Sequence, residues 1–138
     1  MSRHSTPGAS VRAFRDFLPN ATIFGADIDK DILFEEDRIR TFFVDQTSPE
    51  SMNGLSNKLP NEFDLIIDDG LHSPDANIET LKFGLQKIKI GGWVVIEDIL
   101  YNTRPIWEVV SILLPENYEA YIINTNQDAI MFAVRKLA

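Results

Sequence analysis

The residues best suited to do chemistry in this chain of 138 residues are carboxylates that follow short apolar runs. Four successive apolar runs, rich in Ile, Val and Phe, are each followed directly by acidic residues. The acids are Asp27, Asp29, Asp45, Asp68, Asp69, Glu97 and Asp98. If the runs are strands of an open parallel sheet, their carboxyl ends lie at one edge, which is where ligands bind in such folds.

Carboxylates held close together repel one another, so a cluster persists best when a cation or hydrogen-bond donors neutralise it. The alternative is that strand ends lie at the surface, where acids are common. Four acidic strand ends, two of them paired, favour a ligand or metal site. His72 lies three residues after Asp69, close enough in a loop to share that site, although a lone histidine is also typical of a polar loop before a helix.

Apolar periodicity predicts the elements that position these acids. Strands are predicted at residues 21–28, 40–44, 63–67, 93–96, 118–123 and 129–134, and helices at 10–18, 49–59, 73–90 and 106–114. Ser10 is predicted to cap the first helix and Pro19 to stop it. The third helix is predicted to begin at Ser73, Pro74 and Asp75 and to close at Gly91 and Gly92. Its predicted buried stripe is Ile78, Leu81, Leu85 and Ile88.

Strands that alternate with helices predict βαβ units, and so an α/β fold with a doubly wound, mostly parallel sheet. The continuous runs L-I-I and W-V-V-I are typical of strands buried on both faces. The residues between the last two strands, 124–127, predict a C-terminal antiparallel hairpin. No repeat or linker interrupts the pattern, which predicts one domain over residues 1–138.

The amino-acid composition limits the classes of partner that the chain can bind. Thirteen basic and 21 acidic residues give a formal charge of −8, which argues against nucleic acid because phosphate binding needs a basic surface. The same charge suits a cationic ligand or a divalent metal, or reflects only an acidic surface. The chain has no cysteine, which excludes disulfides, thiolate metal sites and cysteine nucleophiles. No membrane-spanning run or signal-peptide pattern is present, so we expect no membrane partner and a cytoplasmic location.

Four segments together resemble a known family: F-G-A-D-I-D, F-E-E-D-R-I-R-T-F-F-V-D-Q-T, F-D-L-I-I-D-D-G-L-H and G-G-W-V-V-I-E-D. They are similar to class I S-adenosylmethionine-dependent methyltransferases. Within that class they resemble the metal-dependent sugar O-methyltransferases of macrolide and related pathways, and the proteins called cephalosporin hydroxylase-like. D-D-G-x-H followed by an E-D pair is the most specific part of the resemblance.

The resemblance implies a cofactor site for S-adenosylmethionine. Asp27 matches the acid that holds the ribose hydroxyls, and Asp45 or Gln46 matches the residue beside the adenine. Gly8 matches the tail of the family's glycine-rich loop. Asp68 is placed with these cofactor-binding residues, with the alternative that it only supports the neighbouring ligands.

The resemblance also implies a magnesium site, or a site for another hard divalent cation, at Asp69, Glu97 and Asp98, and a general base at His72. The implied catalytic residues are therefore His72 and Asp69. Magnesium prefers a few carboxylate oxygens, and its open positions can orient sugar hydroxyls and lower their pKa. The implied activity is methyl transfer to a hydroxyl of a sugar or a sugar-bearing small molecule.

Three other interpretations compete with this one. The first is a non-catalytic or truncated relative that has lost cofactor binding. The second is a nicotinamide-dependent oxidoreductase, which requires a G-x-G-x-x-G motif before Asp27 that the sequence lacks. The third is a receiver domain, which requires a lysine where Glu97 and Asp98 end their strand.

The sequence departs from the family at its start. The family's fold begins with a strand and a glycine-rich loop, whereas residues 1–10 here lead directly into the first helix. That strand normally lies between the second and fourth strands, and unpaired buried backbone is rare. We therefore expect that the flanking strands pair directly, that residues 1–10 fill the gap, or that another chain supplies the strand, which would make a homo-oligomer. The gap is expected to weaken the cofactor site more than the metal site.

Overall fold

The computed structural model describes residues 6–125 and 128–138, and it divides the chain into two compact units, residues 1–45 and 46–138. The described residues form four α-helices and seven strands. The α/β class predicted from the alternating pattern is therefore confirmed. The prediction of a single domain over residues 1–138 stays a prediction.

The first unit is a three-stranded sheet with one helix. Its elements are α1 (Ala9–Phe17), β1 (Ile23–Asp27), a 3-10 turn (Lys30–Ile32), β2 (Glu35–Glu36) and β3 (Ile39–Phe43). The strand order is β1-β3-β2, with β1 parallel and β2 antiparallel to β3. The parallel register pairs Asp27 with Phe43, so the acid lies at the carboxyl edge of this sheet.

The second unit is a four-stranded sheet with three helices. Its elements are α2 (Pro49–Lys58), β4 (Phe63–Asp68), α3 (Pro74–Lys87), β5 (Ile88–Leu100), a 3-10 turn (Tyr101–Thr103), α4 (Arg104–Leu113), β6 (Tyr118–Asn124) and β7 (Ala129–Lys136). The order is β4-β5-β7-β6, with β4 parallel to β5 and the other two pairs antiparallel. The predicted C-terminal hairpin is confirmed, although Asn126 and Gln127 of its predicted turn lie outside the described residues.

The core of the second unit fixes the position of β5. Trp107 of α4 and Phe132 of β7 are fully buried, with ring centroids 4.9 Å apart. The buried residues of this core are Leu81, Ile88, Val94, Ile96, Ile99, Trp107, Ile130, Phe132 and Val134. Since full burial of one such side chain is worth about 1.5–3 kcal/mol, the core holds β5 firmly on both sides of its acidic segment.

Several predicted boundaries were wrong. Gly8, not Ser10, is the N-cap of α1, and the hydroxyl of Ser73 at the N-cap of α3 accepts no capping bond. Helix α3 ends at Lys87, and Gly91 and Gly92 belong to β5. A Cβ on Gly92 would lie 2.7 Å from the carbonyl oxygen of Phe63. Gly92 therefore marks a close contact between strands, where the β4–β5 register shifts, and Gly91 supplies a left-handed φ of +82° beside it, so neither glycine marks a helix end.

The run L-I-I was predicted to be buried on both faces, but Leu65 and Ile67 are exposed. Strand β4 stands at the end of its sheet order, which leaves it less covered than an interior strand. Strands β1 and β4, for which direct pairing was one expectation, belong to different sheets. Residues 1–5, half of the segment expected to fill the gap, lie outside the described residues. No helix in the described part of the chain is long and apolar enough to cross a membrane.

Candidate functional site

A cleft in the first unit collects the predicted cofactor-binding residues Gly8 and Asp27. Its cavity volume is about 120 Å³, smaller than the roughly 300–1,000 Å³ of typical small-molecule sites, and the cleft is open to solvent. Its lining residues are Gly8, Ser10, Val11, Gly25, Ala26, Asp27, Ile32, Leu33, Phe34 and Thr41. One carboxylate stands among mostly apolar neighbours, an arrangement that can hold a polar ribose edge beside an apolar ring.

Gly8 is the position in this cleft that no other residue fits well. Its φ of +77° lies in the left-handed region, and a Cβ there would overlap the ring of Phe34. The guanidinium of Arg12 lies 4.2 Å from the centroid of that ring and donates hydrogen bonds to Glu36, and one of its nitrogens would lie 3.0 Å from the added Cβ. The Arg12 hydrogen bond also lowers the pKa of Glu36. The Phe34 ring, which a Cβ on Gly8 would overlap, is therefore held in place by its contact with Arg12.

Asp27 ends β1 and lies half-buried at the cleft. One of its carboxylate oxygens, Oδ1, accepts a hydrogen bond of 2.9 Å from the backbone N–H of Asp29. This bond orients the carboxylate, and a carboxylate is acceptor-only, which suits a pair of ribose hydroxyls. Asp45 follows β3, one residue beyond Val44, and the cleft is lined by other residues.

A second group of polar side chains forms in the second unit. One ligand atom from each of Asp69, His72 and Asp98 lies within 4.8 Å of the other two. Asp69 and His72 come from the loop between β4 and α3, and Asp98 comes from β5. Parallel pairing of β4 with β5 brings the two segments together, because Asp68 is paired with Ile96.

Strand β5 presents Asp98 through a β-bulge. Ile96 pairs with Phe132 and Ile99 with Ile130, so two residues of β5, Glu97 and Asp98, stand opposite one residue of β7. Asp98 has a φ of +49°, a left-handed conformation that is uncommon outside glycine. Bulges and strained residues of this kind redirect side chains next to functional sites.

Glu97 shows that the acids are electrostatically coupled. Partial burial raises the pKa of Glu97, and the charges of Asp69 and Asp98 raise this pKa further. The structure therefore brings Asp69 and Asp98 close to His72, and it places Glu97 near enough for both of their charges to raise its pKa. A cation at this point would relieve the repulsion.

The donors of this acid cluster (Asp69, His72, Glu97 and Asp98) fit a hard divalent cation. Carboxylate oxygens suit magnesium or manganese, which keep several waters in a site with few protein ligands. The imidazole of His72 is a less natural magnesium ligand, and a base beside the metal is the role that its chemistry favours. The ligand roles assigned from the sequence stay predictions.

Asp68 and Gln46, predicted near the cofactor, make contacts of another kind. Asp68 is only 4% exposed, and its two carboxylate oxygens accept hydrogen bonds from Gln46, Gly70 and Asn77. Gln46 also donates to Thr80 and accepts from the backbone N–H of Leu71. These contacts favour the supporting role that the sequence left open for Asp68.

Sequence reasoning missed Phe34 in the cleft and Asn77 and Thr80 behind the acid cluster. Asn77 and Thr80 are buried on α3 beside the predicted apolar stripe. The signal was their spacing of three residues, which places both on one helix face. Phe34 gave no signal, because an isolated aromatic residue in a loop is common.

Comparison with known proteins relates the chain to O-methyltransferases. It is 36% identical over 93 residues to the mycinamicin VI 2''-O-methyltransferase of Micromonospora griseorubida. The aligned region covers 67% of this chain and 23% of that protein. It is 33% identical over 92 residues to the demethylmacrocin O-methyltransferase of Streptomyces fradiae, again 67% and 23%. The chain thus spans less than a quarter of these curated relatives. No protein-family profile matches it.

Solved structures support the same fold. The MycE methyltransferase from the mycinamycin biosynthetic pathway, in complex with Mg and SAH, matches with a TM-score of 0.71 at 22% identity, over 94% of this chain and 40% of that chain. An rRNA methylase from Streptococcus thermophilus matches with a TM-score of 0.66 at 14% identity, over 97% and 84%. The chain therefore has the fold of class I methyltransferases and is related in sequence to O-methyltransferases that act on macrolide and sugar substrates.

Proposed function

We propose that this chain carries the cofactor-binding and metal-binding segments of a magnesium-assisted O-methyltransferase that uses S-adenosylmethionine and acts on a hydroxyl of a sugar or a sugar-bearing small molecule. The observation that carries the proposal is the convergence of Asp69, His72 and Asp98 within 4.8 Å. The names of the relatives agree with it, because all are O-methyltransferases and one is named for a rhamnosyl tetracenomycin-C substrate.

The cleft of the first unit is the proposed cofactor site. Asp27 accepts hydrogen bonds from the ribose hydroxyls, and Gly8 lets the backbone approach the ligand where a side chain would collide with Phe34. Leu33 and Phe34 offer apolar surface to the adenine ring. We also keep Asp45 and Gln46 as candidates for the residue beside the adenine, with Gln46 the weaker of the two because both of its amide atoms are already bonded within the second unit.

The acid cluster of the second unit is the proposed metal and proton-transfer site. Asp69 and Asp98 hold the cation with Glu97 beside them, and His72 accepts the proton of the substrate hydroxyl. When bound, magnesium lowers the pKa of that hydroxyl and the sulfonium group of the cofactor supplies the methyl group. His72 would take the proton as the substrate O–H bond breaks and an O–CH3 bond forms, and the S–CH3 bond of bound cofactor would break to release S-adenosylhomocysteine.

The two ligand sites can be tested separately by calorimetry. Wild-type protein is titrated with S-adenosylhomocysteine and, in a second experiment, with magnesium and with manganese. Asp27→Asn should abolish cofactor binding, and Asp69→Asn should weaken metal binding by at least the roughly 10–100-fold that follows loss of a residue that only supports a ligand. Asp37→Asn is the matched control, because the Asp37 side chain is 93% exposed.

Activity is then tested with S-adenosylmethionine and methyl glycosides that carry vicinal hydroxyls, with mass spectrometry of the products. The expected product carries one added methyl group, and His72→Gln should prevent its formation while leaving both ligands bound. Absence of cofactor binding at millimolar S-adenosylhomocysteine would contradict the proposal for this chain. If cofactor and metal bind but no product forms, the proposal holds only for the two ligand sites.

A further inference from the structure

The loop that carries Asp69 and His72 is held by a buried polar cluster, which we define as Gln46, Asp68, Asn77 and Thr80. Asp68, Asn77 and Thr80 are 4%, 2% and 8% exposed. All four residues belong to the second unit. Burial of this much polar surface is costly unless each group finds a hydrogen-bond partner.

The polar cluster satisfies its own members with short contacts. Gln46 Nε2 donates to Asp68 Oδ1 at 2.8 Å and to Thr80 Oγ1 at 2.8 Å. Asn77 Nδ2 donates to Asp68 Oδ2 at 3.1 Å. Each carboxylate oxygen of Asp68 therefore has a side-chain donor, and the Asp68 side chain is fully engaged inside the protein.

The remaining contacts of the polar cluster reach the loop backbone. The N–H of Gly70 donates to Asp68 at 3.1 Å, and the N–H of Leu71 donates to Gln46 Oε1 at 2.8 Å. The carbonyl oxygen of Leu71 accepts from Asn77 at 3.4 Å. Gly70 and Leu71 are the two residues between Asp69 and His72. A Cβ on Gly70 would overlap the amide of Gln46, so the loop fits the polar cluster closely.

We propose that Gln46, Asp68, Asn77 and Thr80 are positioning residues that set the geometry of Asp69 and His72 and do not themselves contact cofactor or metal. This inference rests on the proposed function of the acid cluster, although its structural part does not. Asp69 and His72 are exposed side chains on a loop, and they can hold a common geometry only if the backbone between them is fixed.

Amide hydrogen exchange tests the structural part without any ligand. In Gln46→Met the N–H of Leu71 loses its acceptor, and we expect its exchange to become about tenfold faster, as loss of one hydrogen bond implies. Amides in the middle of α3 should keep wild-type exchange. Gln86→Met, an exposed glutamine of α3, is the matched control. Wild-type protection of Leu71 in Gln46→Met would overturn the inference.

Manganese binding, followed by electron paramagnetic resonance, tests the functional part. Gln46→Met should weaken binding about tenfold or more, as loss of supporting contacts to ligands does in other metal sites. Thr80→Val should weaken it less, and Thr80→Ser, which keeps the hydroxyl, should restore it. Unchanged affinity in Gln46→Met would overturn the positioning role. Absence of manganese binding by wild-type protein would instead contradict the proposed metal site and leave the exchange result to decide on the polar cluster.

Discussion

Replacement of Gly8 by alanine should disable the cofactor cleft while leaving the second unit folded. Gly8 has a φ of +77°, and a Cβ built on it overlaps two atoms of the Phe34 ring. The left-handed conformation costs an L-residue roughly 1–2 kcal/mol. Forcing a methyl group into a packed position costs about 1–3 kcal/mol more.

These two costs add to roughly 2–5 kcal/mol if the cleft keeps its shape. The chain can avoid part of this cost by moving Phe34, but that ring is held by Arg12 and by bonds between its backbone and Thr41. Either response alters the cleft. Since about 1.4 kcal/mol corresponds to a factor of ten in affinity, we expect S-adenosylhomocysteine to bind at least tenfold more weakly.

Calorimetry with S-adenosylhomocysteine and thermal unfolding should be measured on Gly8→Ala and on Gly54→Ala. Gly54 lies inside α2 with nothing within 4 Å of its added Cβ, so alanine there should stabilise the protein by about 0.5–1 kcal/mol. The same chemical change is thus expected to act with opposite signs at the two positions. Wild-type affinity and melting temperature in Gly8→Ala would refute the reasoning.

Two further predictions concern the second unit. Because its pKa is raised, Glu97 binds a proton more tightly in the folded state, so its contribution to stability is present at low pH and is lost as pH rises through the raised pKa. In urea unfolding without divalent ions, Glu97→Gln should lose less stability than wild type as pH rises. The same pH profile in both proteins would contradict the electrostatic coupling of Glu97 to Asp69 and Asp98. The ammonium group of Lys87, a residue only 7% exposed, donates to the carbonyl oxygen of Ser56 and to the side chain of Asn61 at 2.8 Å. Lys87→Met should therefore lower the free energy of unfolding by about 2–3 kcal/mol in the same assay. A loss below measurement error would contradict the role of these bonds.

The sequence predicted the elements well where periodicity was strong and boundaries less well where tertiary contact decided them. The C-terminal hairpin formed as expected, and helix α1 lies within one residue of its predicted bounds at both ends. Strand β5 extends over 13 residues instead of four, because pairing with β4 and β7 recruits residues whose own pattern is ambiguous. The two-residue strand β2 left no pattern to detect, since it is held by pairing with β3 and by the ion pairs of Glu36 with Arg12 and Arg15, which are distant in the sequence.

The strand ends predicted seven carboxylates at one edge, and the family resemblance selected Asp69, Glu97 and Asp98 with His72 from among them. The structure brings Asp69, His72 and Asp98 together, but the sequence did not predict how the protein holds them. The left-handed φ of Asp98 comes from a bulge opposite β7, a partner more than 30 residues away in the sequence, and no local pattern encodes it.

The helix α3 shows why the supporting residues were hidden. Its most buried positions include Asn77, Thr80, Gly84 and Lys87, residue types that a hydrophobicity pattern assigns to the solvent side. They are buried because each makes a specific contact with a neighbouring element. Asn77 and Thr80 bond within the polar cluster, Gly84 leaves room for Val94, and Lys87 bonds the carbonyl oxygen of Ser56.

The two acids at the end of β4 have different surroundings, which fit a structural role for Asp68 and the ligand role that we propose for Asp69. Asp68 and Asp69 are adjacent in sequence, yet Asp68 is buried with both oxygens bonded and Asp69 is exposed beside Asp98. Adjacent residues at the end of a strand point to opposite faces, so one can bond the protein interior while the other faces solvent. A carboxylate whose oxygens are already satisfied gains little from a cation, whereas one held near like charges gains much. In this pair the buried Asp68 therefore serves as the anchor, and the exposed Asp69 is the better candidate for the proposed cation ligand.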